Sequence, residues 1–337
     1  MPDYFRPLAQ TGVTRPDDAL PLAGTSSWFT HVEMMGRGVR GPILPASDMP
    51  EDWRGRLTRA RAPIASVDMT APRIMGILNV TPDSFSDGGQ HQGIDNAAAA
   101  AQRMISAGAE ILDIGGESTR PGAQEVDIAS EIERTAPVIA ALQGQINVPI
   151  SIDTRKSAVA EAAFAAGAQI ANDVSGLMFD SKMAAVCAER TAPICVMHSQ
   201  GLPKTMQHDP RYDDVLLDVY DFLDGQLTLL EDAGLPRDRI IIDPGIGFGK
   251  TMGHNIALIQ GLSLFHGLGC ALLLGVSRKG FIGTLGSEPE AARRAPGSVA
   301  LALDAVRQGV HILRVHDVDE TRQALALWRA AQEGIET

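Results

Sequence analysis

What most constrains this chain is a rhythm. From Arg73 onward, short runs of β-branched and aliphatic residues alternate with longer stretches of helical periodicity, the pattern of repeated β-then-α units around a parallel sheet. The runs are IMGILNV from Ile74, ILDIGG from Ile111, VPISID from Val148, QIANDV from Gln169, APICVMH from Ala192, RIIIDPG from Arg239, ALLLGVS from Ala271 and VHILRVHD from Val310. Between them, AEAAFAAGA ends at a glycine stop, and Val215, Val219, Phe222, Leu223 and Leu230 form one apolar stripe. Eight units in roughly 265 residues predict an α/β fold, a closed (β/α)8 TIM barrel. An open doubly wound sheet is the alternative, but ILNVTPDSF lacks the GxGxxG turn of that fold.

Every run ends in polar side chains: Asn79, Asp113, Asp153, Asn172 with Asp173, His198, Asp243, Ser277, and Arg314 with His316. A barrel gathers the carboxyl ends of its strands on one face, where active sites are built, so these groups are expected to share one pocket. Residues 71–337 are therefore read as the barrel. Residues 1–70 differ: this segment is rich in Gly, Pro and Arg, holds Trp28 and Trp53, and alternates weakly in SSWFTHVEMM. It is expected to pack outside the barrel through those aromatics, with a short hairpin.

Composition narrows the partners. A net charge of -12 over 337 residues opposes broad contact with nucleic acid or an anionic membrane surface, so an anionic ligand must be met by a few local cations. No window reaches the ~18 apolar residues of a membrane helix, and MPDYFRPLAQTGV lacks the features of a signal peptide. The cytoplasm is the expected compartment. Cys187, Cys195 and Cys270 lie far apart in apolar stretches and read as reduced core thiols.

The strand ends carry more specific signals. In order, ILNVTPDSFSDGG (Ile77 to Gly89), DIGGESTRPGA (Asp113 to Ala123), SIDTRK (Ser151 to Lys156), ANDVSGL (Ala171 to Leu177), MHSQGLPKTMQ (Met197 to Gln207), DPGIGFGK (Asp243 to Lys250), GVSRKGFIG (Gly275 to Gly283) and RVHDV (Arg314 to Val318) resemble the dihydropteroate synthase family. The resemblance covers Arg73 to about Leu327. It departs at Ser199 and Leu202 and in the extension before Arg73, none of which removes a proposed catalytic group. It implies an enzyme that joins a pterin diphosphate to p-aminobenzoate, giving dihydropteroate and diphosphate, and pairs as a homodimer; late helices with Leu301, Val306 and Trp328 are apolar enough for that.

Such chemistry makes three demands. A pterin presents an edge of alternating donors and acceptors, for which Asp113, Asp153, Asn172 and Asp243 are the assigned partners, with Met197 and Phe248 in apolar contact; the resemblance adds Lys279. A leaving diphosphate needs cationic charge and a metal. Arg314 and His316 point the same way, being two apart on a strand, and the resemblance implies that they and Asn79 hold the diphosphate, with Mg²⁺ bridging Asn79 and phosphate oxygens. The p-aminobenzoate carboxylate needs donors, which Ser277 and the following backbone N–H groups supply. Its ring is expected against Phe248, Pro121 and the stem of Lys279, with Thr119 and Arg120 on a closing loop. Dissociation of the diphosphate before attack would leave a cation stabilised by Asp243 and Asp153. The Gly- and Pro-punctuated loops NVTPDSFSDGG and GGESTRPGA are expected to be mobile until substrate orders them.

Plainer roles compete. Asp113 and Asp153 could cap the helices that follow, His198 could be a satisfied loop histidine, and Arg314 with His316 could pair with Asp317 or Asp319. DPGIGFGK lacks the spacing of a phosphate loop. Two other functions share the barrel: a pterin-binding methyltransferase domain, which would not use RVHDV or the two long loops, and a non-catalytic pterin-binding relative, which would have lost Asn79, Lys279, Arg314 or His316.

Overall fold

The computed structural model describes residues 3–80, 89–118, 122–201 and 205–334, with the side chains at 40, 89–92 and 333 left aside. Eight parallel strands close into a barrel: β6 (Arg73–Asn79), β7 (Ile111–Gly115), β8 (Ile150–Asp153), β9 (Ile170–Asp173), β10 (Ile194–Met197), β11 (Ile240–Asp243), β12 (Ala271–Leu274) and β13 (Ile312–Val315), with β13 pairing back onto β6. All eight predicted runs are strands, and closure excludes the open sheet. The helices between them are α2 (Gly89–Ala107), α3 (Ile128–Leu142), α4 (Ser157–Ala166), α5 (Met183–Arg190), α6 (Val215–Asp232), α7 (Met252–Gln260), α8 (Gly280–Leu285), α9 (Ala295–Arg307) and α10 (Val318–Glu333). Local chemistry sets their ends: Asp214 accepts from the Leu216 and Leu217 N–H groups to start α6, and Gly167, at φ +118°, stops α4. Of the stripe predicted on α6, all but Phe222 is buried.

Two-residue periodicity sorts each strand into inner and outer faces. The inner face holds Met75, Ile111, Ile170, Cys195, Ile241, Leu273 and Ile312, a separate cluster at the amino-terminal end of the barrel. Ile64 and Met69 close it from below, on a turn whose Ile64 and Val67 exchange backbone hydrogen bonds of 3.0 and 2.8 Å. The three cysteines are buried and unbridged. Burial pushes the Cys187 and Cys270 thiols up to about 12, which leaves them inert.

The amino-terminal segment forms β1 (Tyr4–Pro7), β2 (Leu20–Pro21), β3 (Trp28–Phe29), β4 (His31–Gly36), β5 (Val39–Pro45) and α1 (Glu51–Thr58). β4 and β5 are the expected hairpin, and β1 joins them in a three-stranded antiparallel sheet. Trp53 of α1 stacks on Tyr220 of α6 at 5.9 Å and meets the edge of Phe5 at 5.5 Å. Arg37 bonds Asp218 at 2.6 Å and Asp221 at 2.5 Å on the same helix, and the Ser263 hydroxyl donates to the Pro7 carbonyl at 2.8 Å. Among the described residues, no helix is long and apolar enough to cross a membrane.

Candidate active site

The parity that sends Met75 and Ile111 inward also sends in Asn79, Asp113, Asp153, Asn172, Met197, Asp243 and Arg314. Strand register then sets neighbours: Asp153 lies beside Asn172, and Met197 beside Asp243. Asp173 has the opposite parity, and its carboxylate accepts from the Ser175 and Leu177 N–H groups, a structural duty.

At the centre of the mouth, Arg314 reaches across from β13 to β7 and β8. Its Nε donates to Asp113 Oδ2 at 2.6 Å and its Nη2 to Asp153 Oδ2 at 2.7 Å. Asn172 Nδ2 adds a third bond, 3.0 Å to the same Asp113 oxygen. The second oxygens, Asp113 Oδ1 and Asp153 Oδ1, are buried and accept no hydrogen bond from the described protein. Burial raises the Asp153 carboxyl to about 7, with Arg314 opposing and Asp113 reinforcing the rise. Burial also raises Asp243, against the Gly245 N–H that bonds its Oδ1 at 2.8 Å and the nearby cations of Lys279 and Arg314. Two carboxyls whose ionisation burial opposes, beside fixed cations, mark a functional cleft.

The other half of the mouth is built on the loops after β11 and β12. The Lys279 ammonium sits 4.1 Å from the centroid of the Phe248 ring, and Lys279 stands at the position just before α8 with no side-chain capping bond to that helix. The Ser277 hydroxyl lies 3.1 Å from His316 Nδ1 and accepts from the His316 N–H at 3.2 Å. An apolar cavity of about 290 Å³ opens beside Phe248, walled by Val174, Met178, Phe179, Met206 and Phe222.

Of the predicted site residues, Asn79, Asp113, Asp153, Asn172, Met197, Asp243, Phe248, Ser277, Lys279, Arg314 and His316 belong to this one mouth. Thr119, Arg120 and Pro121 lie outside the described residues, as do the middles of the two long loops expected to be mobile. The capping alternative for Asp113 and Asp153 fails: Asp127 caps α3, and Asp180 receives the first N–H of α4. Arg314 is ion-paired, but within the site, since Asp317 pairs with Arg278 and Asp319 with Arg322 at 2.8 Å. His198 is the satisfied loop histidine: it is buried, with Lys250 Nζ 2.8 Å from its Nδ1, and burial drives its pKa down to about 2.

Two buried arrangements were not foreseen. Lys250 bonds the His198 and Phe248 carbonyls at 3.3 and 3.0 Å, and burial lowers its ammonium to about 7. Glu117 accepts from Arg155 at 3.0 and 3.1 Å, from Lys156 at 3.1 Å and from the Val126 N–H at 2.9 Å, while Lys156 also bonds Glu131 at 2.5 Å. The signal was charge inside GGESTRPGA and SIDTRK beside strands too apolar to leave it in water. Among the described residues, no group of three His, Cys, Asp or Glu side chains could hold a metal ion.

A family model described as pterin binding enzyme matches residues 75–316. The dihydropteroate synthase of Escherichia coli K12 is 46% identical over 265 residues, spanning 79% of this chain and 93% of the relative. That of Neisseria meningitidis serogroup B is 47% identical over 269 residues, spanning 78% and 94%. Among solved structures, Yersinia pestis dihydropteroate synthase in a sulfonamide drug complex superposes with a TM-score of 0.75 at 45% identity, covering 79% of this chain and 96% of that one. The Xanthomonas albilineans enzyme with 4-aminobenzoic acid gives 0.75 at 43%, covering 81% and 98%.

Proposed function

We propose, since this chain belongs to the dihydropteroate synthase family, a division of labour among the side chains of its barrel mouth. The reaction is the condensation of 6-hydroxymethyl-7,8-dihydropterin diphosphate with p-aminobenzoate to give 7,8-dihydropteroate and diphosphate, a transfer of the pterin-methyl group in folate biosynthesis. Dihydropteroate synthases of Neisseria meningitidis serogroup C and Haemophilus influenzae match at 47% and 42% identity over 94% and 95% of their length, so neither the methyltransferase nor the non-catalytic reading gains support.

One observation carries the assignment of the pterin. Asp113 Oδ1 and Asp153 Oδ1 are buried acceptors without a donor among the described residues, a condition that costs about 1–3 kcal/mol each and suits a ligand edge rich in N–H groups. Asn172, adjacent in register to Asp153, supplies a mixed donor and acceptor, and Asp243 a further carboxylate. Met197 is buried beside Asp243 and Phe248 is half-exposed on the loop after β11, giving the flat ring apolar contact. Lys279, held over Phe248, brings a cation to the pterin and its stem to the p-aminobenzoate ring. Ser277 and the N–H groups opening α8 receive the p-aminobenzoate carboxylate, with Thr119, Arg120 and Pro121 completing that subsite. Arg314, His316 and Asn79 face the diphosphate.

The metal fits the same scheme. Mg²⁺ would rest on Asn79 and on substrate phosphate oxygens, and when bound it would supply charge neutralisation to the leaving diphosphate. As the diphosphate leaves, Asp243 and Asp153 are placed to stabilise positive charge on the pterin methylene. The p-aminobenzoate amine, a free base at neutral pH, then attacks without a strong general base.

The same reading makes the protein a cytoplasmic homodimer and a sulfonamide target. Of the residues that suggested pairing, Val306 is buried in its own chain, and Leu301 and Trp328 are half-buried against its core. Leu327, on the same helix α10 as Trp328, is exposed, and sedimentation at micromolar concentration checks the pairing by giving twice the chain mass.

The decisive experiment incubates the protein with both substrates and Mg²⁺ and follows dihydropteroate and diphosphate. Product should form, fall to background with a chelator, and drop at least ~100-fold in Lys279→Ala. Pterin binding without product would return the non-catalytic reading.

A further inference from the structure

We infer that Arg314 makes the site selective for a diphosphorylated pterin by exchange: its guanidinium occupies Asp113 and Asp153, and a diphosphate draws it off so that the pterin edge can take its place. The inference rests on the reading that these carboxylates receive the pterin.

The geometry forces the competition. Arg314 starts on β13, and its acceptors stand on β7 and β8, two and three strands away around the barrel. The side chain therefore crosses the mouth at the level of the carboxylates. Asp113 Oδ2 already accepts two bonds, from Arg314 at 2.6 Å and Asn172 at 3.0 Å, which spends its lone pairs. A ligand that offers two parallel N–H groups to one carboxylate needs both oxygens and must evict the guanidinium.

Eviction has a direction. Arg314 stays charged at any working pH, and moving it from two carboxylates into apolar surroundings is unfavourable unless another anion receives it. A pterin alcohol brings no such anion. A pterin diphosphate does, at the end of the molecule that leaves. The exchange also runs backwards: once diphosphate has departed, Arg314 again competes with the product for Asp113 and Asp153, favouring release of dihydropteroate.

Thermodynamic coupling tests this, because two ligands linked through one residue must strengthen each other reciprocally. Titration calorimetry at pH 8 would measure the non-phosphorylated hydroxymethylpterin with and without inorganic diphosphate and Mg²⁺. In the wild-type protein, diphosphate should tighten the alcohol roughly tenfold. In Arg314→Met, the alcohol alone should bind more tightly than to wild type, and the coupling should vanish. Absence of coupling in wild type overturns the inference, as does an Arg314→Met variant that weakens the alcohol and its diphosphate equally, which would make Arg314 a plain contact. Asp113→Asn separates the two levels: unchanged affinity for the alcohol would sink the pterin assignment itself. Should Arg314→Met fail to fold, the wild-type titration decides alone.

Discussion

Asp153 lies inside the barrel mouth, where burial raises its carboxyl to about 7. A carboxyl raised in the fold ionises there at a cost, so this group stabilises the native state below about pH 4 and loses that contribution as pH climbs through 7. Binding has the opposite sign, since the ionised acceptor is fully present only above 7. The kcat/KM for pterin diphosphate should therefore fall on the acid side with a midpoint near 7, and Asp153→Asn should flatten that limb along with lowering activity. A limb of unchanged position in the variant would assign it elsewhere. Because Asp153 is in contact with the Arg314 guanidinium and feels the Asp113 charge, the measured midpoint belongs to the cluster rather than to one residue. Lys250 behaves conversely. Its ammonium is lowered to about 7 by burial, so the folded state sheds a proton that the unfolded chain keeps, and this group adds stability as pH rises from 7 toward 10. Thermal melts should show that rise in wild type and a smaller one in Lys250→Met.

At the scale of elements, the site depends on two loops that approach backbone to backbone. Gly245, at φ +71°, follows β11, and a Cβ built there would stand 1.8 Å from the His198 carbonyl oxygen after β10. No rotamer relieves a clash with backbone, and the left-handed conformation is itself costly for other residues. Gly245→Ala should destabilise the fold by about 3 kcal/mol or more and displace both Asp243 and Phe248, so that soluble variant protein loses pterin affinity as well as melting early. Normal affinity with normal melting would mean the loops part more readily than this packing implies. The DPGIGFGK run was legible as a barrel loop that is not a phosphate loop. That its lysine points down onto His198, while its phenylalanine faces Lys279, was not legible, because alternation ceases to report direction once the strand has ended.

At the scale of the molecule, the amino-terminal segment braces the barrel rather than trailing from it. Trp53 covers Gly267, where a Cβ would come within 2.2 Å of the indole, and Ile64 and Met69 close the barrel floor. We propose that residues 1–70 serve stability and leave the chemistry alone. Trp53→Ala should cost about 3–5 kcal/mol, read as a marked fall in Tm, with the KM of both substrates unchanged; altered KM values would give the extension a part in the site. By itself the sequence determined the eight strands, the closure of the barrel and which polar groups gather at its mouth, since alternation and strand-end position are local properties that survive translation into three dimensions. The grouping of Arg314, His316 and Asn79 came from the family resemblance, not from local pattern. Tertiary structure alone decided that Arg314 lies across Asp113 and Asp153, that Glu117 and Glu131 share Lys156 while Arg155 pairs with Glu117, and that the extension seals the barrel floor. Those are contacts between residues tens to hundreds of positions apart, set by how the strands and helices pack, and no local pattern of residue types encodes a partner chosen by proximity after folding.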